Sequence, residues 1–136
     1  MKKLNKKGFT LVELLAVIVV LALLMVVATT SIGTALNNAK TKSLVTETQK
    51  VLKQAFEEQQ STIILNADYS APTPQLVTDG DFKYKITFND EAQITAFCVD
   101  YPGSKLVINK TVTGNNSVPQ VSTSDVKSGA QYTACS

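Results

Sequence analysis

At 136 residues the chain is long enough for one domain and short for two. Its basic residues are all lysine and histidine is absent, so the commonest general base and metal ligand is missing and an enzyme is a poor first reading. The net charge of +2 rests on Lys2, Lys3, Lys6 and Lys7; beyond them nine lysines face eleven acids, and net charge gives no support for a nucleic-acid partner.

The basic segment from Met1 to Lys7 precedes an apolar run from Leu14 to Ala28 that contains no polar side chain, and no charge follows Glu13 until Lys40. Such a run covers a bilayer core of about 30 Å, and the lysine bias keeps the N-terminal tip cytoplasmic and sends the C-terminal body outside. A cleaved secretory signal is one reading, with Ser31 to Ala35 as the nearest small-residue site, and a plain membrane anchor is another. Glu13 argues against both. A carboxylate in a membrane segment costs about 2.5 to 3.5 kcal/mol near the centre and less at the edge, so it asks for a partner.

Lys6-Lys7-Gly8-Phe9-Thr10-Leu11-Val12-Glu13 resembles the prepilin peptidase site of type IV pilins and their relatives. The resemblance is strong over the N-terminal stretch and weak beyond it. It implies cleavage on the cytoplasmic side between Gly8 and Phe9, N-methylation of Phe9, and a filament-assembly role for Glu13 opposite the Phe9 amine of a neighbouring subunit. It also implies a helical homo-oligomer as partner, together with prepilin peptidase, a pilus assembly ATPase and its membrane platform. No cofactor is implied. Independently of the family, a buried amine–carboxylate pair left half-made costs about 3 to 5 kcal/mol, so docking a staggered second helix would satisfy both charges and fix register. The bland reading of Gly8 is a flexible spacer.

From Thr29 polar residues interrupt the apolar run, and the helix is expected to continue through them. Leu44, Val45, Val51, Leu52, Ala55 and Phe56, with Thr41 and Thr48, recur at helical spacing, while Glu47, Lys50, Lys53, Glu57 and Glu58 take the opposite side. One helix from about Phe9 to Gln60 is predicted, too long for an ordinary soluble monomer. Pilins commonly have a glycine or proline in the membrane half; here Gly33 is the only glycine available for a kink. Ser61 to Thr78, with Pro72 and Pro74, reads as a connecting loop, with a short strand or helical turn near Thr62 to Leu65 as a candidate within it.

Phe82 to Phe88 alternates apolar and polar residues and predicts a strand buried on one face. Gln93 to Val99 and Lys105 to Thr113 follow after short turns, which makes an antiparallel meander. Val118 to Ser122 is a candidate fourth, edge strand, weakened by Pro119. The predicted fold class is α+β: a long N-terminal helix, hydrophobic in its first half and amphipathic in its second, packed on a three- to four-stranded antiparallel sheet.

Cys98 and Cys135 read as a disulfide in an exported domain, with two free thiols as the alternative; a zinc site lacks the remaining ligands. In pilins a C-terminal cysteine bond bounds a variable surface loop, here Asn115 to Cys135. Asp79, Asp81, Asp90 and Glu91 supply too few oxygens for calcium and read as solvated turn residues. Asn109 and Asn115 begin short glycan-acceptor patterns of a kind frequent by chance. Lys83, Lys85, Lys105 and Lys110 read as a solvated sheet face, and nucleic acid is not an expected partner.

The resulting expectation is a leader at residues 1–8, a transmembrane and filament-core helix half at 9–36, and an extracellular domain at 37–136. The chain would sit single-pass in the bacterial cytoplasmic (inner) membrane before assembly into a surface pilus for twitching motility, adhesion or aggregation. A pseudopilin of a DNA-uptake or type II secretion apparatus shares the N-terminal stretch, and a simple membrane-anchored surface protein is the rival of a different class.

Overall fold

The computed structural model describes residue 8 and residues 10–136; the expectations for Phe9 and for the lysines ahead of Gly8 lie outside the described residues. Helix α1 runs from Leu11 to Leu65, and the chain divides into two compact units, one up to Asn38 and one from Ala39.

In the first unit α1 leaves its large apolar side chains exposed, among them Leu11 at 82%, Leu15 at 56% and Met25 at 72%. The helix is long and apolar enough to cross a membrane. It continues through the polar stretch after Ala28 and through Gly33 without a break. Hydroxyls there turn back onto the helix: Thr29 Oγ1 donates to the Val26 carbonyl at 2.9 Å and Ser31 Oγ to the Val27 carbonyl at 3.2 Å. Hydroxyls satisfied this way suit an environment without water.

In the second unit the amphipathic stripe behaves as its spacing predicts. Leu44, Thr48 and Leu52 are fully buried, Val51 nearly so, and Val45, Ala55 and Phe56 pack beside them. The helix outlasts the expected end near Gln60 because no glycine or proline stops it. Thr62 Oγ1 donates to the Glu58 carbonyl at 2.9 Å, and the Asn66 N–H closes the last turn on the Thr62 carbonyl at 3.0 Å.

Among the described residues the sheet has five antiparallel strands in sequential order: β1 Val77–Asp79, β2 Phe82–Phe88, β3 Ile94–Tyr101, β4 Leu106–Thr111 and β5 Lys127–Ser128. The three central strands match the expected meander within a residue or two. Two corrections concern the edges. Val77–Asp79, assigned from the sequence to a loop, pairs with β2 through a hairpin whose register sets Asp79 opposite Phe82, and Gly80 takes the positive φ of +56° that the turn needs. Val118 to Ser122 is not the outer strand; Lys127–Ser128 pairs with β4 instead. Both edge strands are three residues or fewer, which leaves little open backbone for another chain to pair with.

Strand alternation separates two faces. The inner face, with Ile86, Phe88, Ile94, Phe97, Val99 and Ile108, forms one cluster with the helix stripe. The outer face is organised in cross-strand rows: Lys83, Asp100, Val107 and Lys127 make one, and Lys85, Cys98 and Asn109 the next.

Candidate processing and assembly site

The first turn of α1 is built around Thr10 and Glu13. The Thr10 N–H donates to Glu13 Oε2 at 2.9 Å, and the Glu13 N–H donates to Thr10 Oγ1 at 3.3 Å. The Thr10 carbonyl then accepts the Leu14 N–H at 3.1 Å, the first bond of the helix ladder. This is a capping box, Thr-x-x-Glu, in which each side chain satisfies an N–H that the helix start would otherwise leave unbonded. Glu13 also places its negative charge at the positive end of the helix dipole. The Thr-x-x-Glu spacing is present in the sequence, where the apolar surroundings of Glu13 mask this local role. Both residues are exposed.

Gly8 lies just outside the helix, exposed, in open space: a Cβ added there would meet nothing within 4 Å. Neither packing nor backbone conformation in the described residues calls for glycine at this position.

The cysteines are joined. Cys98 in β3 and Cys135 form a disulfide with a Cα–Cα distance of 5.8 Å, closing a sequence separation of 37. Closure of such a loop contributes roughly 4 kcal/mol in the chain-entropy account. Around it the last residues lie over the outer sheet face: the Cys135 N–H donates to Asp100 Oδ2 at 3.0 Å, and Lys85 Nζ donates to the Ser136 main-chain oxygen at 2.7 Å.

The other candidates disperse. Asp79 ends β1, while Asp90 accepts the Ala71 N–H at 3.0 Å and so ties the helix-to-sheet connection to the β2–β3 turn. Among the described residues no group of three or more His, Cys, Asp or Glu side chains is placed to hold a metal ion. Lys110 pairs with Asp125 at 3.0 Å, and its register partner is Phe97 of the inner-face row, so it does not join Lys83 and Lys85 on the outer face. Asn109 stands exposed in β4; Asn115 Oδ1 accepts the Ser117 N–H at 3.2 Å within a turn.

A family model described as the prokaryotic N-terminal methylation motif matches residues 3–29. No curated protein and no solved structure matches the chain. The match covers both members of the capping box and most of the exposed apolar half of α1. The motif implies processing by a prepilin peptidase, and the apolar helix is consistent with membrane anchoring of the precursor. This chain therefore carries the N-terminus of the type IV pilins and pseudopilins on a pilin-like α+β fold.

Proposed function

We propose that the chain is the precursor of a type IV pilus subunit, a structural protein that polymerises through the apolar half of α1. Pilin-like proteins are generally non-enzymatic structural subunits. The observation that carries the reading is the methylation motif at the head of a helix whose large apolar side chains, among the described residues, stand exposed along its first half. Each such side chain gains about 1.5 to 3 kcal/mol on leaving water, so the helix belongs in lipid or among other helices.

In this account residues 1–8 are a leader, removed by cleavage between Gly8 and Phe9, and the new Phe9 amine is methylated. Residues 9–36 hold the precursor in the cytoplasmic membrane and later form the filament core. Residues 37–136 lie outside, where an oxidising environment suits the Cys98–Cys135 bond. Lipid and a neighbouring helix solvate leucine equally well, so apolar burial alone does not favour assembly. Glu13 supplies the difference. Its Oε2 is satisfied by Thr10, and pairing of the same carboxylate with the Phe9 amine of the next subunit neutralises two charges that lipid penalises. A motor ATPase and membrane platform extract the subunits, and the filament serves motility, adhesion or aggregation. The disulfide that bounds the last segment favours a pilus subunit over a pseudopilin of a DNA-uptake or secretion apparatus.

Processing tests the reading. Intact-mass analysis of the membrane and filament fractions should find the mature chain beginning at methylated Phe9, and Gly8→Val should accumulate as uncut precursor. Normal trimming of Gly8→Val, or a mature chain that begins elsewhere, would overturn it.

A further inference from the structure

Asp100 is a fully buried carboxylate one residue before the end of β3, on the sheet face away from the helix. Its cross-strand neighbours are Lys83 and Val107, and Val107 is also buried, at 1% exposure. Helix packing covers the inner face only, so the cover over this row comes from elsewhere. The C-terminal segment supplies it: Thr133, Ala134, Cys135 and Ser136 line a shared groove with Lys85, Cys98 and Asn109 of the outer face. A buried carboxylate costs several kcal/mol unless it is partnered. Here one oxygen, Oδ2, accepts the Cys135 N–H at 3.0 Å, while Oδ1 is buried with no hydrogen-bond partner of good geometry among the described residues. Tyr132 approaches the same carboxylate; burial first, then the charge of Asp100, raises its phenol pKa.

Cys98 and Asp100 stand two residues apart on one strand, so their side chains share a face. Both grip the same residue: Cys98 holds Cys135 through sulfur, and Asp100 holds it through the main chain. The geometry points to Asp100 as the positioning residue for this disulfide, docking Cys135 over Cys98 before the bond forms. Before docking, the outer face is open and the Asp100 carboxylate is hydrated; capture of the Cys135 N–H replaces part of that hydration with a charge-assisted hydrogen bond. Oxidation then locks an arrangement already made. With a small external disulfide as oxidant, one cysteine thiolate forms a mixed disulfide and releases one small thiol. The second thiolate displaces the other small thiol and closes Cys98–Cys135. Two electrons pass from the protein thiols to the external disulfide, and the two protons end on the released small thiols.

The test uses the full chain in detergent micelles, reduced and then equilibrated against mixtures of reduced and oxidised glutathione. The reading is the effective concentration of the Cys98–Cys135 pair. Asp100→Ala should lower it about tenfold, the weight of a hydrogen bond to a charged group. Asp100→Asn keeps an acceptor oxygen and should recover most of the loss. An unchanged value in Asp100→Ala, or an equal fall in Asp100→Asn, overturns the proposal. Because Asp100→Ala risks misfolding, the reduced wild-type chain supplies a second reading. Its Cys135 amide should exchange slowly with solvent, as a docked group does; exchange at the open-chain rate while β3 stays protected overturns the proposal as well.

Discussion

The side chain of Gln49 treats Val121 as a neighbouring strand would. Its Oε1 accepts the Val121 N–H at 3.2 Å, and its Nε2 donates to the Pro119 carbonyl at 3.2 Å. One helical amide thus takes up backbone bonds that residues 118–122 would otherwise offer to the sheet, which is why this segment lies against the helix and is not an edge strand. Gln49→Ala should remove both bonds, destabilise the chain by about 1 to 2 kcal/mol, and speed exchange of the Val121 amide before any change in the central strands. Denaturant melting combined with amide exchange checks both parts.

Thr48 sits in the same helix, fully buried against the core, and its Oγ1 has no hydrogen-bond partner among the described residues. Valine has nearly the same shape and no hydroxyl to desolvate. Thr48→Val should therefore stabilise the chain by about 1 kcal/mol, seen as a higher denaturant midpoint with an unchanged slope.

At the N-terminus of α1, Thr10→Ala should lose the capping box and Thr10→Ser should keep it. The cost is about 1 kcal/mol, and it should appear as roughly fivefold faster exchange of the Glu13 amide with the remaining helix unaffected. If Thr10→Ala leaves that amide as slow as before, the reciprocal bonds seen between Thr10 and Glu13 contribute nothing.

Asp125 should set part of the acid limb of stability. The Ser122 backbone N–H, at 2.9 Å, and then Lys110, at 3.0 Å, hold its carboxylate pKa below its ordinary value of 3.8. A folded pKa below the unfolded one gives stability that is complete above the unfolded value and is lost as pH falls through the folded one. Asp125→Asn should therefore be less stable than wild type at neutral pH and should converge with it under acid below about 3.8. Melting curves across that range decide it.

Much of the architecture was legible because burial wrote it as periodicity. Leu44, Thr48 and Leu52 at intervals of four, and Phe82, Tyr84, Ile86 and Phe88 at intervals of two, report which side faces the core. The edges carried no such signal. Val77 is 41% exposed, and Lys127 and Ser128 are both exposed, so neither short strand has a buried face to announce it. Val118 to Ser122 read as an edge strand from its local pattern; its partner is Gln49, seventy residues away and invisible to that pattern. Glu13 was legible as an exception to its apolar surroundings, while its bond to Thr10 was not, because a carboxylate in an apolar run points first to a partner outside the helix. Asp100 gave no sign at all, since a carboxylate in an alternating strand normally faces water.

The most direct measurement of the central claim is electron microscopy of filaments sheared from the cell surface and labelled with antibody against residues 61–136, in wild type and in Glu13→Ala. Assembly through α1 predicts filaments decorated along their length in wild type. In Glu13→Ala it predicts processed subunits retained in the membrane, with few or no filaments. Wild-type cells whose label stays in the membrane, or Glu13→Ala filaments as abundant as wild type, would contradict it.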